Sequence, residues 1–264
     1  MKIGFIGLGN MGGAMIGGML AKGIADKDMI MGADSYAPAL EKAISLHGIR
    51  TATDNREVAA FGDILILAVK PQMMAEVITA IRDDVPEETV VISIAAGKTL
   101  DWLNNKFGRA VKLVRVMPNT PALVGEGISG VCRNRLVSDE DMKRCIVLLE
   151  SFGQAEEVPE HLMDAVVGVG GSAPGYVFMF IEAIADGGVA AGMPRSQALR
   201  FAAQSVLGSA RMVLETGKHP AELKDMVCSP GGTTIEAVSV LEEKGLRGAV
   251  MAAVAACVAK SKSL

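Results

Sequence analysis

Over the first half of the chain, short apolar runs alternate with segments whose apolar residues recur every three to four positions; the second half keeps only the longer period. Lys2 to Gly7, Met29 to Ala33, Ile64 to Ala68, Val90 to Ile94 and Val111 to Val116 are the apolar runs and read as strands. Those at 64–68 and 90–94 are nearly continuous in Val, Ile and Leu, as expected of central strands buried on both faces. Helices are predicted around Met73 to Ile81 and Thr99 to Phe107. A last strand pair, Ile128 to Arg133 and Gln154 to Val158, brackets a helix opened by Ser138 and Asp141. This alternation predicts a parallel sheet covered on both faces.

Beyond Pro159 the strand signals stop, and helices are predicted at 161–169, 174–191, 195–216, 219–227, 233–244 and about 246–262. The pattern divides the chain into an α/β domain, 1–159, and an all-α domain, 160–264. Helix 174–191 has Pro174 near its first turn, stops at Gly192 and is apolar nearly all round, interrupted by Glu182 and Asp186. Such a helix needs cover on most sides, more than one small helical domain supplies. The expectation is that subunits interlock through this region, with a central core helix as the alternative.

Two glycine-rich turns carry the candidate chemistry. Gly7-Leu8-Gly9-Asn10-Met11-Gly12 follows the first strand and precedes the periodic run Met15, Ile16, Met19, Leu20. In a strand–turn–helix setting the first glycine makes the tight turn, the second admits a pyrophosphate to the backbone, and the third lets helix and strand approach closely. The next strand ends in Asp34, about 20 residues on, where the dinucleotide fingerprint places an acid on the adenine ribose. The first domain is therefore expected to be Rossmann-type. A carboxylate at Asp34 accepts hydrogen bonds from a ribose 2′-OH and repels a 2′-phosphate, so NADH is favoured over NADPH, although Ser35, Arg50 and Arg56 stand near enough in sequence to serve a phosphate. The segments Val69-Lys70-Pro71, Ala95-Ala96-Gly97 and Met117-Pro118-Asn119-Thr120-Pro121 follow predicted strands, and the carboxyl ends of strands line the ligand crevice in such sheets. Lys70 is placed to meet the cofactor or is a surface lysine. Asn119 either holds the nicotinamide amide, shapes the substrate cavity, or makes an ordinary asparagine turn.

The second turn is Cys228-Ser229-Pro230-Gly231-Gly232-Thr233-Thr234-Ile235-Glu236. Gly231 and Gly232 let a ligand reach the backbone, and the first N–H groups of the following helix lack intrahelical partners, so a small carboxylate is the expected guest. The plain alternative is a capping box, Thr233 with Glu236.

Composition narrows the field. Half of the 264 residues are hydrophobic but only 4% aromatic, with 30 glycines and 16 methionines, which points to closely packed helices and an adaptable interior. A net charge of −4 without a dense basic block argues against nucleic acid. No uninterrupted apolar run reaches the roughly 18 residues of a membrane span, and the N-terminus does not read as a leader, so a soluble cytoplasmic protein is expected. Cys132, Cys145, Cys228 and Cys257 form no CxxC pair, and His47, His161 and His219 no ligand pattern; free thiols and no metal are expected.

The chain resembles the pyrroline-5-carboxylate reductases along its whole length: in IGFIGLGNMG at 3–12, AVKP at 68–71, SIAAG at 93–97, MPNTPA at 117–122, PGYVFMFIEAIADGGV at 174–189 and LKDMVCSPGGTTIEAVSVLE at 223–242. The resemblance implies hydride transfer from NADPH or NADH to the imine of 1-pyrroline-5-carboxylate, giving L-proline in the last step of proline biosynthesis. It implies an intertwined homodimer with further assembly, up to a decamer. It places dinucleotide contacts on Leu8, Asn10, Met11, Asp34, Asn55, Ala68, Val69, Lys70 and Ala95, and the substrate carboxylate on Gly232, Thr233 and Thr234, beside Ser229 and Gly231. Met226 and Gly170 depart from residues common in the family, asparagine and serine. No histidine or lysine base is evident, in keeping with an electrophilic protonated imine that needs alignment above all. Thr234 is the candidate to bond the ring nitrogen or relay its proton. The competing expectations are a β-hydroxyacid dehydrogenase, whose opening GFIGLGNMG is similar but whose usual lysine is missing from Gly168 to Met179, and a non-catalytic NAD(P)-binding sensor.

Overall fold

The structure is a computed structural model that describes residues 1–263. It divides into two compact units: Met1–Ser172 together with the C-terminal segment from Cys257, and Ala173–Ala256.

The first unit is built on an eight-stranded sheet in the order β3-β2-β1-β4-β5-β6-β7-β8. The strands are β1 (Ile3–Ile6), β2 (Ile30–Ala33), β3 (Arg50–Thr51), β4 (Ile64–Leu67), β5 (Val90–Ser93), β6 (Lys112–Met117), β7 (Gly127–Arg133) and β8 (Gly153–Glu157). β1 to β6 are parallel, with Ile3 opposite both Ile30 and Ile64. β7 runs antiparallel to β6, and β8 follows β7. The expected parallel sheet thus carries a reversed pair at one edge. The reversal follows from a connection too short for a helical crossover, because only the 3-10 turn Thr120–Val124 lies between β6 and β7.

Helices α1 (Asn10–Ala21), α2 (Ala37–His47) and α6 (Asp139–Leu149) contribute to one face of the sheet, and α3 (Asn55–Phe61), α4 (Met74–Ile81) and α5 (Leu100–Phe107) to the other. Central strands feed both layers by their period of two. Ile64 and Ile66 join Phe5, Met15, Ile16 and Met19 on the first face; Leu65 and Leu67 join Val77, Ile78, Leu103 and Phe107 on the second. All four residues of β4 are buried, so each full-size side chain there contributes roughly 1.5–3 kcal/mol of apolar transfer.

After β8 the helix expected at 161–169 resolves into a 3-10 turn, Glu160–Leu162, the short α7 (Met163–Val166) and a π turn, Val167–Gly171. Three glycines, at 168, 170 and 171, weaken the regular ladder there. By packing, the stretch from Glu160 to Ser172 clusters with the first unit. Glu160 accepts a hydrogen bond from the Leu100 N–H at 2.7 Å and pairs with the buried Arg115 at 3.2 Å, which ties this stretch to the sheet.

The second unit contains α8 (Ala173–Ala190), α9 (Arg195–Thr216), α10 (Pro220–Val227), α11 (Thr233–Glu243) and most of α12 (Leu246–Ser261). Its fully buried residues are three alanines, Ala185, Ala198 and Ala202, where α8 and α9 touch. Phe178, Met179, Phe201 and Leu214 are exposed. The helical stretch Glu160–Ala190 is long and apolar enough to cross a membrane by length and composition, where the sequence had given no such expectation; it tolerates Glu182 and Asp186 within that average.

Candidate active site

At the carboxyl end of β1 the chain turns on Gly7, whose φ of +101° and whose approach to β4 both demand glycine; a Cβ there would lie 2.6 Å from the Ala68 carbonyl oxygen. The Gly7 N–H donates to the Ala33 carbonyl at 2.8 Å, which carries the sheet ladder into the turn. Gly12 is forced as well, since a Cβ would meet the Gly7 carbonyl at 2.5 Å. Gly9 is the N-cap of α1, has no side-chain cap, and faces open space where a Cβ would point. The first turn of α1 carries no acidic residue, so the N–H groups after Gly9 and the positive end of the helix dipole remain for an anion. Contacts thus require glycine at Gly7 and Gly12, while Gly9 leaves its side of the turn open.

Asp34 is half-buried at the end of β2 and joins this turn directly. One carboxylate oxygen accepts from the Leu8 N–H at 2.7 Å and the other from the Tyr36 N–H at 2.9 Å. It is therefore no free turn residue, and each oxygen keeps a lone pair for a hydroxyl. The cations considered for a 2′-phosphate are engaged elsewhere. Arg56 grips Asp54 at 2.7 Å, and its hydrogen bonds hold that carboxyl below the usual aspartate range. Arg50 lies over the Phe61 ring and pairs with Met31 in the sheet, three residues short of Asp34, or roughly 10 Å along the strand.

Neighbouring carboxyl ends complete a rim. The Ala68 N–H donates to the Ile6 carbonyl at 2.8 Å, so Ala68 and Val69 leave β4 against the glycine turn, followed by the exposed Lys70. The buried Ala95 follows β5, its N–H 3.4 Å from the Ser93 hydroxyl. Asn55 opens α3, behind an N-cap made by the Asp54 side chain. β1 and β4 are neighbours from which the strand order runs outward in opposite directions, the switch point at which open α/β sheets bind dinucleotides. Gly7 to Gly12, Asp34, Ala68 and Val69 are brought together at it; Ala95 stands one strand further on.

The second candidate subsite belongs to the second unit. Cys228 ends α10, and the Gly232 N–H returns to the Ser229 carbonyl at 3.0 Å around Pro230 and Gly231, with Gly231 at φ +64°. A Cβ on Gly232 would strike the Ser229 hydroxyl at 2.4 Å. Gly232 is the N-cap of α11 and no side chain caps the helix; Thr233 and Thr234 occupy the first two helical positions, the first exposed and the second half-buried. The alternative of a Thr233–Glu236 capping box fails on this geometry, because a capping hydroxyl must come from the N-cap position. Glu236 lies in the first turn and reduces the field that an anion would feel there.

Two sets of hydrogen bonds gave no signal in the sequence. Asn119 is buried, with hydrogen bonds from its side chain to β7 and to the π turn, and Glu160 reaches the first N–H of α5. The proline-flanked loop pointed to Asn119 but not to its partners. The thiols of Cys132 and Cys145 are buried and pushed up to about 12, chiefly by desolvation, so neither serves as a nucleophile at neutral pH. Among the described residues no three His, Cys, Asp or Glu side chains converge as metal ligands.

A switch-point glycine cradle joined in one chain to a largely helical second unit defines a nicotinamide-dependent oxidoreductase of the Rossmann class. Comparison with known proteins narrows this. Residues 160–264 match the family model described as pyrroline-5-carboxylate reductase dimerisation, and residues 2–97 match NADP oxidoreductase coenzyme F420-dependent. The chain is 52% identical over 266 residues to the pyrroline-5-carboxylate reductase of Escherichia coli (strain K12), covering 100% of this chain and 98% of that one. It is 47% identical to that of Methanosarcina acetivorans, covering 100% and 97%. Among solved structures, the Plasmodium falciparum pyrroline carboxylate reductase with NADP bound superposes with a TM-score of 0.91 at 33% identity, covering 100% and 97%. The 1-pyrroline-5-carboxylate reductase of Streptococcus pyogenes gives 0.90 at 34%, covering 100% and 99%. The chain belongs to the pyrroline-5-carboxylate reductase family. A 3-hydroxyisobutyrate dehydrogenase from Mycobacterium tuberculosis, 18% identical with a TM-score of 0.54, shares the fold alone. The matched dimerisation model coincides with the helices whose apolar faces are exposed, and the protein is a homo-oligomer.

Proposed function

We propose that this chain reduces 1-pyrroline-5-carboxylate to L-proline in the cytoplasm, the last step of proline biosynthesis, as an intertwined homodimer that assembles further, up to a decamer. The observation that carries the reading is the uncapped N-terminus of α11, reached through a left-handed glycine and followed by two threonines, in a chain related over its full length to such reductases. The substrate carboxylate is held at Gly232, Thr233 and Thr234 by the N–H groups of the two threonines, with the Gly232 N–H closing the turn that Ser229 and Gly231 shape. Gly7, Leu8, Gly9, Asn10, Met11 and Gly12 cradle the pyrophosphate; Asp34, Asn55, Ala68, Val69, Lys70 and Ala95 complete the dinucleotide site. When bound, NAD(P)H supplies the hydride that is added to the imine carbon. The imine reacts in its protonated form: as its carbon gains the C–H bond, the C=N π pair moves onto nitrogen as a lone pair and a neutral secondary amine results, with the Thr234 hydroxyl accepting a hydrogen bond from the ring N–H and keeping the proton there. Carboxylate binding at a fixed helix end orients the ring, and orientation supplies most of the acceleration for an electrophile of this kind. The exposed apolar faces of α8 and α9 meet another copy of the chain rather than lipid or nucleic acid.

For the dinucleotide, we favour NADH over NADPH. Both oxygens of Asp34 face N–H groups of the glycine turn and its own loop, so its charge stays where a 2′-phosphate would come, and Arg50 and Arg56 are engaged. Turnover of 1-pyrroline-5-carboxylate with each cofactor tests both levels. Oxidation of NADH with a kcat/KM at least about tenfold above that of NADPH is expected, a difference worth about 1.4 kcal/mol. A ratio in favour of NADPH overturns the cofactor preference alone. No turnover with either, from folded protein, overturns the reductase.

A further inference from the structure

The loop Met117-Pro118-Asn119-Thr120-Pro121 has no part in either cradle, yet it contains a buried amide. Asn119 is only 7% exposed and stands at the N-cap of the 3-10 turn Thr120–Val124, but its side chain does not cap that turn. Instead its Oδ1 accepts from the Ile128 N–H at 2.9 Å and its Nδ2 donates to the Gly170 carbonyl at 3.0 Å. One side chain therefore joins the loop after β6 to the start of β7, nine residues on, and to the distant π turn Val167–Gly171. That turn is closed by the Ser172 N–H on the Val167 carbonyl at 2.8 Å and lies against the end of β6, where a Cβ on Gly171 would come within 2.6 Å of Met117 Cε. π turns are rare and concentrate at functional sites. With glycine at 168, 170 and 171 this one has little stiffness of its own, so hydrogen bonds from outside help to set its position: that of Asn119 on the Gly170 carbonyl and that of the Cys257 thiol on the Ser172 hydroxyl at 3.0 Å.

We propose that Asn119 is a positioning residue for hydride transfer, clamping the π turn to the carboxyl rim of β6. That rim lies across the switch point from β2, in the second mononucleotide half of the crevice, where the fold receives the nicotinamide end of a dinucleotide. The proposal rests on the reductase reading. Because both ends of the amide are engaged within the chain, Asn119 acts through the turn and not on the reacting atoms.

Two variants test the clamp. Asn119→Asp keeps an acceptor for the Ile128 N–H and replaces the donor to Gly170 by an oxygen that repels the carbonyl; Asn119→Ala removes both bonds. In ligand-free protein, amide hydrogen exchange over 167–172 is expected to speed up about tenfold or more in both, while that of β6 is unchanged. Turnover is expected to fall roughly ten- to a hundredfold in kcat, with the dinucleotide Kd and the KM for the imine within about threefold of wild type and a larger isotope effect from NADH deuterated at the transferred position. Unchanged exchange, or faster exchange with kcat per folded site and isotope effect at wild-type values, overturns the proposal. If Asn119→Ala does not fold, Asn119→Asp decides alone, since it retains the bond to β7. A wild-type protein that fails to reduce the imine overturns the reductase reading instead, and the exchange result still decides whether the clamp exists.

Discussion

Asp34 was legible in the sequence as the acid that ends the second strand, and the structure adds what spacing does not contain: its two oxygens hold the glycine turn at Leu8 and its own loop at Tyr36. Gly7 and Gly12 were legible because a turn that presses on neighbouring backbone excludes every other residue there, whereas Gly9 faces open space and was legible from its spacing alone. Thr233 was open to misreading because a one-residue shift of a helix start exchanges a capping hydroxyl for a free one, and helix starts are set by backbone geometry that the residue pattern does not fix. With Gly232 as N-cap, Thr234 contributes nothing to closing the helix. Thr234→Ala should accordingly leave folding intact, and even favour the helix by a few tenths of a kcal/mol. Its kcat should fall roughly ten- to a thousandfold, the usual reach of a positioned proton donor, with dinucleotide affinity unchanged. Steady-state kinetics and a dinucleotide titration check this together; an unaltered kcat removes Thr234 from the proposed chemistry.

Among the elements, the central strands β4 and β5 were the easiest to find, because burial on both faces leaves nearly unbroken apolar runs. β3 escaped notice: it has two residues, and neither is fully buried. The reversed direction of β7 is equally invisible locally, for an apolar strand carries no sign of its polarity in a sheet. The start of α6 was readable, and here the structure supplies more than the pattern. Ser138 and Asp141 form a complete capping box, and the buried Asp141 also pairs with Lys112 at 3.3 Å and with Arg144. Burial alone would raise the Asp141 carboxyl, but hydrogen bonds from Ser138, Lys112 and Arg144 outweigh it and hold the group below the usual aspartate range. A depressed folded value means that the ionised form stabilises the fold at pH values above the unfolded pKa, and that this contribution disappears as pH falls through the lower folded one. Ser138→Ala should cost about 1 kcal/mol at neutral pH. The difference in Tm between wild type and Asp141→Asn should be largest near neutrality and shrink as the pH drops below about 4. A difference that grows in acid would refute the assignment.

The scale of the whole molecule is where sequence and structure speak to the same deficit. Helix 174–191 was apolar nearly all round, and the structure gives the second unit only a small core, three buried alanines with Ile181, Val189 and Met193 half-buried against them, while Phe178, Met179, Phe201 and Leu214 are exposed. At about 25 cal/mol per Å² of apolar surface, a few large side chains covered by a second copy yield several kcal/mol that the isolated chain lacks. The family model that spans these helices is one of dimerisation, so the missing cover is another copy. Two consequences follow from mass action. The thermal midpoint should rise with protein concentration, because association of folded chains draws the equilibrium away from the unfolded state. Met179→Glu, at a position 71% exposed in the single chain, should leave the fold of the first unit unstrained yet place a charge in the interface, where desolvation without a partner costs several kcal/mol. Light scattering after size-exclusion chromatography should then show dissociation or a strong loss of oligomer at micromolar concentration. An oligomer of wild-type mass in that variant, together with a midpoint independent of concentration, would mean that this surface is not where the copies meet.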